Sequence, residues 1–274
     1  MEKMRRTVLV RVLVLCILAL AVPLAATAQE QFTEWVEMPD GVLLATEVYL
    51  PEGDGPWPVV YALHGLGGRH TDLGELALQL TGQGILVFSA QHSAPDWLST
   101  EQDVECGYRY VRAIADQYGG DLDLPVTFVG FSVGATLVLN HGLAEDAYGP
   151  DGLFNVCFDG APRPDVIVPI SGCHYQFSGD QFGFSTAGWT NRDAHLSLIA
   201  GGQDTVCEAW QSEDATVVLE SAGYDVDLVT ISGANHFTVI FHDIVDDQWQ
   251  TDPTQPAGQK VVEVILEAIT QADT

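Results

Sequence analysis

A chain of 274 residues, 47% hydrophobic and 18% charged, has the composition of a globular protein and not that of a disordered polymer, a collagen-like repeat or a disulfide-only miniprotein. Ten Lys and Arg stand against 38 Asp and Glu, for a formal net charge of −28. Such a surface cannot displace the counterions of a phosphate backbone and repels polyanions, which excludes nucleic acid as a partner and makes anionic polymers poor substrates.

The amino terminus has the grammar of a secretory signal. Lys3, Arg5, Arg6 and Arg11 lead into an apolar run over 12–26 that closes on the small-x-small triplet Ala26-Thr27-Ala28. Pro23 interrupts that run, and it is shorter than the roughly 20 residues a bilayer-spanning helix needs. An uncleaved anchor is the alternative. We expect a signal peptide over 1–28 cut before Gln29, no stable membrane anchor afterwards, a secreted or periplasmic location, and one domain over 29–274.

From Phe32 to Leu50, apolar and polar residues alternate around Pro39-Asp40-Gly41, which predicts two antiparallel strands joined by a turn. A Gly- and Pro-rich loop over 51–58 follows. Short continuous apolar runs then occupy 59–63, 85–89, 126–131, 166–171, 195–200 and 226–232. Between most of them lie stretches of helical period, over 73–81, 101–118, 135–144 and 211–221, with a last one over 259–269. Strands buried on both faces and separated by helices make a mainly parallel sheet with helices on either side.

Ligands of such a sheet sit beyond the carboxyl ends of its strands. Four segments occupy those positions: His64-Gly65-Leu66-Gly67-Gly68, Gly130-Phe131-Ser132-Val133-Gly134, Gly201-Gly202-Gln203-Asp204 and Gly233-Ala234-Asn235-His236. The second is a G-x-S-x-G between a strand and a helix, a sharp turn that exposes the serine hydroxyl and aims the next amide into the site. Serine is a poor nucleophile unless a base removes its proton, and that base needs a group to fix its tautomer. His236 and Asp204 follow later strands and supply these roles, in the chain order Ser, Asp, His expected of an α/β-hydrolase. Asp180, Asp225 and Asp227 are alternative acids, though none sits on a glycine-lined loop. Among the other histidines, His64 reads as a structural hydrogen-bonder, His92 and His174 as possible pocket residues, and His70, His141, His195 and His242 as surface or core. No metal or cofactor is expected, because no histidine pair has ligand spacing with a supporting carboxylate. The glycine-rich turn after the strand over 59–63 lets backbone amides approach a developing oxyanion, and Leu66 and Val133 are the expected donors.

Together with the hairpin ahead of them, these segments resemble the α/β-hydrolase superfamily across residues 29–274. Within it the chain is similar to small secreted serine esterases and the dienelactone-hydrolase-like group, and 103–111 resembles the helix those esterases carry before the serine motif. The resemblance implies a single-domain α/β-hydrolase fold with an eight-stranded, mainly parallel sheet, helices on both faces and no large lid. It also implies Ser132 as nucleophile, His236 as base and Asp204 as its orienting acid. Two departures narrow the likeness: dienelactone hydrolases proper use a cysteine nucleophile, and the lipase-type H-G-G-G loop is replaced by H-G-L-G-G.

Cysteines Cys106, Cys157, Cys173 and Cys207 lie beyond the signal, and in an oxidising compartment four cysteines suggest two bridges with three possible pairings. We expect Cys173 with Cys207, since each follows a strand and the two strands should be neighbours, and Cys106 with Cys157 by elimination. Four buried thiols are the alternative. The insertion over 172–193 is too short for a lid domain, so the site should be open. Its Tyr175, Phe177, Phe182, Phe184 and Trp189, with Trp97 on an earlier strand-end loop, supply aromatic side chains; Trp97, Phe177 and Trp189 are our candidates for an apolar pocket wall, unless these aromatics merely pack the insertion onto the body. A monomer acting on neutral carboxylic esters, of short-chain or aromatic acyl groups, is the expectation. A polymer-acting esterase (acetylxylan, feruloyl or polyester) and a catalytically silent binding domain are the alternatives.

Overall fold

The computed structural model describes residues 29–93, 97–144, 157, 161–174, 189–246 and 248–273. The expected signal peptide over 1–28 lies outside them. β1 (Gln31–Glu37) and β2 (Leu43–Tyr49) form an antiparallel hairpin. Its turn is held by the Asp40 carboxylate, which accepts the N–H of Val42 at 3.0 Å. Then follow β3 (Val59–Leu63), α1 (Gly74–Thr81), β4 (Leu86–Ala90), α2 (Trp97–Ile114), β5 (Val126–Phe131), α3 (Val133–Leu143), β6 (Val166–Ile170), β7 (His195–Gly201), α4 (Trp210–Ser221) and β8 (Val226–Ile231). The eight strands make one sheet in the order β1-β2-β4-β3-β5-β6-β7-β8, parallel from β4 through β8.

Every residue of β3, β4, β5 and β6 is buried, which is why these strands read as nearly continuous apolar runs, broken only by the buried Ser89 and Thr127. Successive side chains go to opposite faces. Tyr61, Phe88 and Phe128 pack with Val104 and Tyr108 of α2, Leu137 of α3 and Leu219 of α4, whereas Val60, Val87 and Val129 pack with Leu76 and Leu80 of α1 and with the carboxyl-terminal helix α5 (Pro256–Ala272). Helix α5 offers Val261, Val262, Ile265, Ala268 and Ile269 at helical spacing and starts on Pro256, whose fixed φ suits a first helical turn.

On α2, the buried Glu105 accepts hydrogen bonds from Arg109 Nε at 2.7 Å and Arg163 Nη1 at 3.0 Å, tying the helix to the segment ahead of β6. Burial alone would raise its carboxyl pKa; His141 and Arg163 outweigh this and hold it well below the usual carboxylate range. The structure pairs Cys106 with Cys157 and Cys173 with Cys207.

The region around α2 and the segment after β8 differ most from the expected elements. Helix α2 starts at Trp97 rather than 101, so Trp97 is helical and not on a loop, and past Ile114 the chain tightens into a 3-10 turn over Ala115–Tyr118. After β8, a hairpin of β9 (His242–Val245) and β10 (Gln248–Thr251) was not anticipated. No described helix is long and apolar enough to cross a membrane.

Candidate active site

Ser132 sits between β5 and α3 at φ +58°, ψ −119°, a backbone region costly for any residue with a side chain. The turn closes only because its flanks are glycine. A Cβ on Gly130 would lie 2.2 Å from the Gly134 carbonyl oxygen, and one on Gly134 2.3 Å from that of Leu63. The amide of Ser132 donates to the Ile170 carbonyl at 3.0 Å, fixing the strained residue to β6.

Asp204 follows β7 on a loop stitched to the His236 segment: Gly202 N–H donates to Ile231 O at 2.9 Å and Gln203 N–H to Ala234 O at 2.8 Å. Its Oδ1 accepts the N–H groups of Val206 and Cys207, both at 2.8 Å. Its Oδ2 meets His236 Nδ1 at 2.7 Å. A carboxylate only accepts, so Nδ1 carries the proton and Nε2 keeps its lone pair. His236 is seated by Asn235, whose Oδ1 accepts the N–H groups of Phe237 and Thr238 at 2.9 and 3.0 Å, and by the ring of Phe131 at 4.7 Å. Among the described contacts, no direct hydrogen bond joins Ser132 to His236; both stand against Cys207 Sγ, at 3.7 Å from Ser132 Oγ and 4.0 Å from His236 Nε2. Such bonds are often long before substrate arrives.

Beside the serine lies the turn after β3. His64 Nδ1 donates to Gly65 O at 2.7 Å, and Gly68 N–H donates to the same oxygen at 3.1 Å. His64 Nε2 accepts the His92 amide at 3.3 Å, and the two rings stack with centroids 4.0 Å apart. Both His64 nitrogens are thus used by the neutral ring. Burial first, and the neighbouring His92 second, lower its pKa to about 3. The trans peptide plane directs Leu66 N–H opposite to the held Gly65 carbonyl. Among the described residues, neither Leu66 N–H nor Val133 N–H has an intramolecular acceptor.

Ser132, His236, Leu66 and Val133 line one cleft of about 480 Å³. Its other walls include Phe131, Val206, Phe237, His242 and Trp249. A larger groove of about 650 Å³, at the amino ends of β3 and β5 around Trp57 and Tyr118, holds no nucleophile–base pair. Trp189 is elsewhere: it is buried in the core, edge-on to Tyr224 at 6.1 Å, and lines no part of the cleft. Phe177 and the side chain of Trp97 lie outside the described residues. His92 and His174 are core residues that stack on His64 and face Thr136. Phe237, His242 and Trp249 all follow His236 closely in sequence and line the cleft, though no motif marks them. His242, expected at the surface or in the core, instead lines the cleft, where Trp249 packs on it at 5.3 Å and on Phe237 at 4.7 Å. No cluster of three or more His, Cys, Asp or Glu side chains among the described residues is arranged to hold a metal ion.

A strand-to-helix serine on a parallel sheet, with a carboxylate-bound histidine after later strands, is the geometry that decides the architecture. The chain has the α/β-hydrolase fold. Among solved structures, it is similar to an esterase of the planctomycete Thermogutta terrifontis, at a TM-score of 0.65 and 14% identity over 88% of this chain and 91% of that one. The same esterase phosphorylated by paraoxon gives a TM-score of 0.67 and 16% identity over 88% and 94%. A bifunctional GH43-CE protein of Bacteroides eggerthii gives a TM-score of 0.65 and 15% identity, with this chain spanning 35% of that longer one. No protein-family model and no curated protein matches the sequence.

Proposed function

We propose that this protein is a serine hydrolase that cleaves neutral carboxylic esters through an acyl-enzyme on Ser132, with His236 as general base and Asp204 as its orienting acid. The observation that carries this reading is the buried His236–Asp204 pair facing a serine held at a strained elbow in the same cleft. His236 Nε2 takes the Ser132 proton as Oγ attacks the ester carbonyl carbon. Negative charge collects on the carbonyl oxygen, where the N–H groups of Leu66 and Val133 receive it. Collapse expels the alcohol, which takes the proton from His236; water then enters by the same steps and frees the acid.

The cleft walls of Phe131, Val206, Phe237 and Trp249 suit an apolar or aromatic acyl group. Asp72 at its edge, on a chain of net charge −28, opposes anionic esters. The exposure of Leu66, Val206 and Trp249, at 51%, 40% and 58%, favours a second reading in which the ester belongs to an uncharged polymer pressed against the mouth. The basic-apolar start over 1–28 and the two disulfides support action outside the cytoplasm.

The test is a panel of p-nitrophenyl esters of graded acyl chains, with release from an insoluble polyester measured alongside. A burst of nitrophenol followed by turnover supports the acyl-enzyme. No release from any ester sinks the reading in favour of a silent binding domain.

A further inference from the structure

The Cys173–Cys207 disulfide lies against the reacting groups. Ser132 Oγ is 3.8 Å from Cys173 Sγ and 3.7 Å from Cys207 Sγ, and Cys207 Sγ is 4.0 Å from His236 Nε2. Both cysteines are 2% exposed. Their backbones are committed to the same groups: Cys207 N–H donates to Asp204 Oδ1 at 2.8 Å, and Cys173 N–H to the Ser132 carbonyl at 3.4 Å. Cys173 follows β6 and Cys207 follows β7, so one covalent bridge ties the loop that carries the acid to the seat of the serine.

The bridge therefore does more than join two strands. Backbone hydrogen bonds from Gly202 and Gln203 tie the acid loop to the His236 segment, and the Cys207 sulfur carries that loop to the serine hydroxyl. Displacement on the scale of 1 Å at a reacting pair costs as much as about a hundredfold in rate. Disulfide sulfurs are also weak acceptors, so they exclude water beside Ser132 Oγ and His236 Nε2 without competing for the proton that passes between them. The Cys106–Cys157 bridge has a different setting: Cys106 is buried with Val36, Met38 and Leu44, on the β1–β2 side of the molecule.

We propose, on the serine-hydrolase reading above, that the Cys173–Cys207 disulfide is a positioning element of the catalytic site, setting the approach of Ser132 Oγ to His236 Nε2 and walling that pair off from water. The activity is accordingly sensitive to cleavage of this bridge and indifferent to loss of the other.

The experiment compares full-length wild type, C106A/C157A and C173A/C207A, each confirmed as folded by near-ultraviolet circular dichroism. The readouts are kcat and KM on one p-nitrophenyl ester, and the downfield proton resonance of the His236–Asp204 hydrogen bond. The expected result for C173A/C207A is a fall in kcat of about ten- to a hundredfold with KM changed less than about twofold, and a shifted or broadened His236 resonance. The expected result for C106A/C157A is an unchanged kcat and resonance.

Should C173A/C207A fail to fold, C106A/C157A leaves the site bridge as the only described one to reduce. Tris(carboxyethyl)phosphine takes up oxygen from water to become the phosphine oxide while the two sulfurs become thiols. Activity should then fall in protein that is still folded and return when oxidised glutathione re-forms the bond. A kcat within about twofold of wild type in folded C173A/C207A, or in the folded reduced protein, overturns the proposal, as does a defect confined to KM. Wild type that hydrolyses no ester refutes the functional reading instead, while the His236 resonance still reports on positioning.

Discussion

His236 Nδ1 and Asp204 Oδ2 meet at 2.7 Å between side chains that are 4% and 0% exposed, so this hydrogen bond is made out of water and selects the tautomer that leaves Nε2 basic. Replacing Asp204 with Asn keeps the shape and lets the imidazole place its proton on the wrong nitrogen. Asp204→Asn should lower kcat by about a thousand- to ten-thousandfold with little change in KM. Steady-state kinetics on an activated ester measures it, and a loss below tenfold would reject Asp204 as the orienting acid.

The His64 ring holds the Gly65 carbonyl at 2.7 Å and through it the direction of Leu66 N–H. Removing the ring leaves that carbonyl held by Gly68 N–H alone, so the peptide plane is less firmly set and the amide less well aimed at the oxyanion. His64→Ala should cost about tenfold to a hundredfold in kcat, with KM nearly constant. An equal rise in KM and fall in kcat/KM would instead place His64 in ground-state binding.

Trp249 stands 58% exposed at the cleft, packed edge-on against Phe237. Trp249→Ala removes a large part of the apolar wall. Its kcat/KM for an aromatic acyl ester should fall by about tenfold or more relative to that for acetate. An acyl profile identical to wild type would show that the acyl group lies on another wall.

Burial lowers the pKa of His174 to about 4 and that of His64 to about 3, from the 6.5 of free histidine. Between those values and 6.5 the unfolded chain binds protons that the folded one refuses, so each group destabilises the fold as pH drops through that window and contributes nothing above it. His174→Gln deletes one such group. Its unfolding free energy should fall less steeply than that of wild type from pH 6.5 to pH 4, by about 1.4 kcal/mol per pH unit at most. Urea titrations across that range measure the difference, and parallel curves would mean that His174 is protonated in the folded state.

Much of the fold is legible in the order of residues because β3 to β6 are buried on both faces, and a doubly buried strand is predominantly an apolar run. The segments after those strands were legible for a related reason: tight turns at the sheet edge demand glycines, and Gly130 and Gly134 stand where a Cβ would strike backbone. The β9–β10 hairpin left no such trace. All of β10 is exposed, its residues Gln248, Trp249, Gln250 and Thr251 show no buried alternation, and it is held by pairing with β9 and by Trp249 against Phe237 and His242. Trp189 illustrates the opposite failure. An aromatic after a strand can turn toward the cleft or toward the core, and its contact with Tyr224, distant in sequence, decides the matter.

The central claim is that Ser132 is the nucleophile. Incubation with paraoxon, followed by intact mass and peptide mapping, tests it most directly. One diethylphosphoryl group on Ser132, loss of esterase activity in step with labelling, and no label on Ser132→Ala are predicted; ester hydrolysis that survives in Ser132→Ala, or a label mapped to another residue, would contradict it.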